Sequence, residues 1–185
     1  FALSLHKKTK AMRKSIKMML ALGLLIAAAT PVVSEAKGKQ YNSYKGLVMA
    51  GYQGWFNTPD DGAGRGWHHY ESRKGFTPGS CTIDLWPDMS EYKVTYPTDF
   101  TYDDGTPAHV FSSYDESTVD THFRWMQEYG LDGVFMQRFV AEIRNNSGRK
   151  HFNKVLASAM KAANKYERAI AVMYDLSGMR AGEEK

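Results

Sequence analysis

His68 and His69 stand side by side in Trp67-His68-His69-Tyr70 and are the first candidates for chemistry in this chain. Paired histidines suggest a metal. However, zinc ligands on one element are usually spaced i, i+4, and neighbours in an extended segment point to opposite sides. The pair is therefore expected to hold no metal. Hydrogen bonding to sugar hydroxyls beside aromatic rings suits it better, with plain loop packing as the alternative. Three further sets follow short apolar runs: Tyr52 and Gln53 running into Trp55 and Phe56, then Gln137 and Arg138, then Tyr174 and Asp175. In parallel α/β folds such positions, at the C-terminal ends of strands, are where functional groups gather. Asp84, Asp88 and Glu91 add carboxylates in one loop, and glycosidases use two carboxyl groups ~5–10 Å apart. Gly62-Ala63-Gly64-Arg65-Gly66 lacks dinucleotide-binding spacing and opens no helix, and there is neither a P-loop nor a serine elbow. No cofactor is expected.

The elements that must position these groups are legible from hydrophobic pattern. Gly46–Tyr52 is a nearly continuous apolar run, the mark of a strand buried on both faces. A long loop from Gln53 to about Tyr114 follows, punctuated by Asp61-Gly62, Gly64, Gly66, Pro78-Gly79, Pro87, Pro97 and Asp104-Gly105. A helix then begins with Ser117 as cap and Asp120 three residues on. It carries Val119, Phe123 and Met126 on one face and stops at Gly130. Asp132–Phe139 reads as a second strand. Ser147–Tyr166 reads as a second helix with Phe152, Val155, Leu156 and Met160 inward, and Ala169–Asp175 as a third strand. Strands alternating with helices predict a parallel α/β sheet, either doubly wound and open or part of a (β/α)8 barrel.

Length and composition set the frame. The 185-residue chain starts at Phe1, and the first plausible start is Met12. Arg13, Lys14 and Lys17, the apolar stretch Met18–Ala29 and the small residues Ser34 and Ala36 form a secretory signal over 12–36. Its apolar part is shorter than the ~20 residues a bilayer requires. Residues 1–11 read as upstream read-through, and 37–185 as the exported part, with no stable membrane anchor after cleavage. The leader to Ala36 holds six of the 24 Lys+Arg and one of the 20 Asp+Glu, which leaves 18 basic and 19 acidic residues. The basic pI therefore belongs to the leader, and the remainder carries no nucleic-acid signature. Cys81 is the single cysteine, so no intramolecular disulfide framework exists. All four Trp, all 11 Tyr and eight of nine Phe follow Ala36, several in loop-like stretches.

Several blocks carry a family resemblance: Gly51-Tyr52-Gln53-Gly54-Trp55-Phe56, Trp67-His68-His69, Ile83–Tyr92, His122-Phe123-Arg124-Trp125-Met126, Asp132–Phe139 and Met173–Gly178. Spanning roughly 44–180, they resemble bacterial proteins described as glycoside hydrolase family 71/99-like, related to the family 99 endo-α-mannosidases and mannanases. The resemblance implies the N-terminal part of a (β/α)8 TIM barrel, with about three of eight strands present. It implies a polysaccharide or glycan substrate acted on outside the cytoplasm, secreted or periplasmic. Tyr52, Trp55, His68 and His69 would line sugar subsites, with Gln53, Gln137, Arg138 and Asp175 as further substrate-binding candidates. The catalytic carboxylates would fall beyond Lys185. A carbohydrate-binding protein without turnover, a non-functional remnant, and a small open-sheet domain unrelated to sugars are the alternatives.

Overall fold

Val134 and Met136 face one way from the second predicted strand, and Phe135 and Gln137 the other; this alternation organises the whole domain. The structure, a computed structural model, describes residues 41–183. The expected read-through segment and signal peptide lie outside the described residues. Three strands pair in parallel in the order β1-β4-β5: β1 (Met49–Tyr52), β4 (Gly133–Phe139) and β5 (Ala169–Asp175). Between β1 and β4 the chain inserts a separate antiparallel pair, β2 (Tyr96–Thr101) and β3 (Pro107–Val110). Three helices follow: α1 (Glu116–Glu128), the single turn α2 (Val140–Ile143) and α3 (Asn146–Lys165).

This corrects the expected barrel. A barrel closes only when its first and last strands pair. Here β1 and β5 each bond only to β4, leaving an open three-stranded sheet. Neighbouring strands in a sheet differ by only about 20–25° of twist, so three of them cannot curl round to meet. The described chain is a small α/β domain with one parallel and one antiparallel sheet, and no eight-fold barrel is closed.

Val134 and Met136 on β4 bury against Val119, Phe123 and Met126 of α1 and Val155, Ala159, Ala162 and Ala163 of α3. Both helices therefore cover one face of the sheet. The alanine stripe on α3 lets that helix lie close, and Met160, expected inward, is left 58% exposed. The end of α1 follows the expected stop. Gly130 takes φ +77, and the Leu131 N–H returns to the Met126 carbonyl at 2.8 Å, a Schellman closure. Its start differs from the expectation. Ser117 lies within the helix, and Asp115 is the N-cap residue; the Asp115 carboxylate is taken by the Tyr96 hydroxyl at 2.9 Å instead of a backbone N–H. On α3 the Asn145 side chain does cap, accepting from the Gly148 N–H at 2.6 Å.

The predicted long loop has a core of its own. Tyr70, Phe76 and Val110 are buried together, with Phe56, Trp67, Ile83, Trp86, Tyr96 and Phe100 packed around them. Aromatic residues that composition placed on loops are thus largely structural here. Among the described residues, no helix is long and apolar enough to cross a membrane.

Candidate functional site

The C-terminal ends of β1, β4 and β5 do collect polar groups, in three separate constellations. The first follows β1. Tyr52, Gln53, Gly54, Trp55 and Phe56 line a cleft of ≈ 120 Å³ with Phe111, Ser113 and His122. Tyr52 leans toward the core, and its hydroxyl meets His122 Nδ1 at 2.8 Å; Tyr92 meets His122 Nε2 at 2.7 Å. Burial pushes the His122 imidazole down to about 4 and pushes both phenols up. The trio is therefore neutral, with one tyrosine donating to the ring and the other accepting from it.

The second constellation joins the loop after β1 to the turn after β4. Glu142 on α2 accepts from the Arg65 guanidinium, and its two oxygens lie 3.2 Å from His68 Nε2 and 3.4 Å from His69 Nε2. Adjacent side chains can meet one carboxylate because His69 adopts φ +62, outside the extended geometry that would separate them. The rings end 4.5 Å apart at 78°. A left-handed non-glycine residue costs about 1–3 kcal/mol and persists only where its surroundings enforce it. The enforcement is visible: the Asn57 N–H binds the His68 carbonyl at 3.1 Å, Thr82 Oγ1 binds the His69 carbonyl at 2.6 Å, and Trp67 and Tyr70 on either side sit in the second core. Gly148 on α3 packs close against the Glu142 backbone, since a Cβ there would lie 2.2 Å from the Glu142 carbonyl oxygen. Burial favours the protonated Glu142 carboxyl, but hydrogen bonds from His68, His69 and Arg65 outweigh that and hold it far below the usual carboxylate range. Glu142 is thus a fixed anion and no proton donor.

Trp55 stands beside this cluster. Its indole stacks on His69 at 4.0 Å and on Phe139 at 5.3 Å, nearly parallel to both. These rings engage the indole within the protein, so Trp55 braces His69 more than it offers an open platform.

The third constellation is Gln137 and Asp175. Gln137 Nε2 donates to Asp175 at 3.1 Å, and the Ser177 N–H donates to the other carboxylate oxygen at 2.8 Å. Gln137 Oε1 is buried without a partner. Arg138 does not join them. Strand alternation turns it to the helix side, where it is 8% exposed and binds the Phe152 carbonyl and Asn153 Oδ1. Asp84, Asp88 and Glu91 do not converge on the strand ends either. Glu91 is exposed and pairs with Arg124 on α1, Asp88 caps the Ser90 N–H, and Asp84 is exposed.

Sequence reasoning missed Glu142, Arg65 and His122. Glu142 lies three residues past the end of β4, so the strand-end rule carried one turn further would have reached it. Compared with protein-family models, curated proteins and solved structures, the chain finds no match.

Proposed function

We propose that this chain binds a glycan across the C-terminal ends of β1, β4 and β5, as the sugar-binding face of a glycoside hydrolase working outside the cytoplasm. The observation that carries the reading is the aromatic cleft after β1, with Gln53 and Ser113 on its wall. The Gln137–Asp175 hydrogen bond at the adjacent strand ends supports it by placing further polar groups beside the cleft. Aromatic surfaces beside a few fixed hydrogen-bonding groups are what a pyranose ring and its hydroxyls require. Glu142 and Asp175 are both held in the ionised state, so neither serves as the general acid that glycosidic cleavage needs.

Calorimetric titration with mannan, xylan and glucan oligosaccharides tests the proposal. One of them should bind, and Gln53→Ala and Gln137→Met should each weaken it about tenfold, the loss of one or two net hydrogen bonds. Release of reducing ends separates hydrolysis from binding alone. Failure of every oligosaccharide to bind at millimolar concentration sinks the proposal.

A further inference from the structure

We propose that His68, His69 and Glu142 form a binding site for a divalent transition ion of zinc's class, and that Arg65 is the counter-cation the ion displaces. The inference is independent of the glycan reading. The donor atoms of the three residues all lie within 4.8 Å of one another, and each side chain is partly exposed, so an ion can enter. Two imidazole nitrogens and one carboxylate are a donor set of catalytic zinc sites, which keep a further position open.

The spacing fits as well as the chemistry. Ligands held tetrahedrally at about 2.0–2.1 Å from zinc stand about 3.4 Å from each other. His68 Nε2 lies 3.2 Å from Glu142 Oε2 and His69 Nε2 lies 3.4 Å from Oε1, and with one donor atom taken from each residue the set spans no more than 4.8 Å, so an ion needs only a small inward closure of the three side chains. Both Nε2 atoms reach the same carboxylate only because of the left-handed turn at His69, and that strained turn is fastened by Thr82 and by the Trp55 stack. Such outer bracing orients ligating imidazoles in metal sites. Arg65 Nη2 approaches both Glu142 Oε2 and His68 Nε2. Arg65 and Glu142 ask for opposite tautomers at His68 Nε2: with the proton on Nε2 the ring donates to Glu142, and with it on Nδ1 the Nε2 lone pair accepts from Arg65, and the second tautomer is the one coordination selects. Arg65 Nη1 is buried with no partner, so the guanidinium is incompletely satisfied where it lies.

The test uses the tag-free chain, stripped with chelator and titrated with Zn²⁺ by calorimetry and with Co²⁺ by visible absorption. One ion per chain is expected, with the intense d–d bands of low-symmetry four- or five-coordinate cobalt. His68→Gln and Glu142→Gln should each weaken binding about 100-fold. His69→Asn is the variant chosen to keep the fold, since asparagine tolerates the left-handed backbone, and it should do the same. Arg65→Met should tighten Zn²⁺ binding severalfold, an outcome that a mere ion-pair network does not produce. The proposal is overturned if neither ion binds saturably below about 100 µM, or if His68→Gln and His69→Asn bind both ions as the parent does. Loss of the ion with oligosaccharide binding intact, or the reverse, tells the two proposals apart.

Discussion

Gly133→Val is expected to leave no folded protein. Gly133 opens the central strand β4 and pairs with Ala169 on β5. A Cβ built there would lie 2.1 Å from the Ala169 carbonyl oxygen and 2.6 Å from its carbonyl carbon. Those atoms are backbone, tied into the β4–β5 ladder, so no side-chain rotation relieves the clash. The strands must separate where Val134 and Met136 anchor the core. A loss of about 4 kcal/mol or more is in prospect, against a whole-domain stability of about 5–15 kcal/mol. Gly51→Ala on the neighbouring strand is the control. Its Cβ would meet only Gln137 Oε1, at 3.9 Å, and Gly51 has no left-handed backbone to accommodate. Urea unfolding followed by circular dichroism should give Gly51→Ala a near-parental midpoint and Gly133→Val no cooperative transition. A Gly133→Val protein with the parental midpoint would falsify this account of the β4–β5 junction.

The second large effect is with pH. His151 sits on α3, 1% exposed, with Nδ1 meeting Asn57 Nδ2 at 3.1 Å and Nε2 meeting the Gly54 carbonyl at 2.8 Å. Burial pushes its imidazole down to about 4, and burial does the same to His122. In the unfolded chain both return to about 6.5. Between those values the unfolded chain binds more protons, so stability is full above pH 6.5 and is lost as pH falls toward 4. At 1.36 kcal/mol per unit, each histidine costs on the order of 3 kcal/mol across that window. Asp61 adds a later loss. Burial raises its carboxyl, but bonds from Ser112, Asn57, Ala63 and Thr58 outweigh this and hold it below the usual range, so its contribution fades only below about pH 4. The urea midpoint should therefore drop steeply between pH 6.5 and 4.5, and the ring resonances of His122 and His151 should stay neutral there in the folded protein. A flat midpoint over that interval, or rings that protonate near 6.5 while folded, contradicts the burial argument.

What could be read from the residues follows their periodicity. Ala169–Asp175 and the strand ending at Phe139 fall where apolar runs bounded by turn signals put them. The 20-residue helix α3 falls within a residue of its expected start, because a long amphipathic repeat leaves little freedom. The hairpin β2–β3 was hidden. Its strands have six and four residues, Pro97 lies within the first, and Pro107 opens the second. Proline argues against a strand unless it lies at an edge, and a two-stranded sheet is all edge. The barrel expectation failed for a different reason. Strand–helix alternation fixes that strands are parallel but not how many share a sheet. At the site, Gln137 and Asp175, read separately as the polar ends of two strands, lie side by side and hydrogen-bond because those strands pair. Arg138 was named alongside Gln137, although consecutive strand residues face opposite ways. For His68 and His69 the extended-chain assumption failed at a single torsion, the φ of His69.

The Asp61 carboxylate ties together Asn57 and Thr58, which lie just after β1, and Ser112, which lies just after β3, while Asn57 also reaches His151 on α3. Entry and exit of the inserted segment are thus clasped at one buried knot, and the stretch between them carries its own aromatic core. Its far tip is the Asp104-Gly105 turn, where a Cβ on Gly105 would meet nothing within 4 Å. The segment is therefore a cassette. Its tip can lengthen, diversify or accept a grafted peptide without shifting the register of the parallel sheet, so evolution and protein engineers alike have a place to write new sequence.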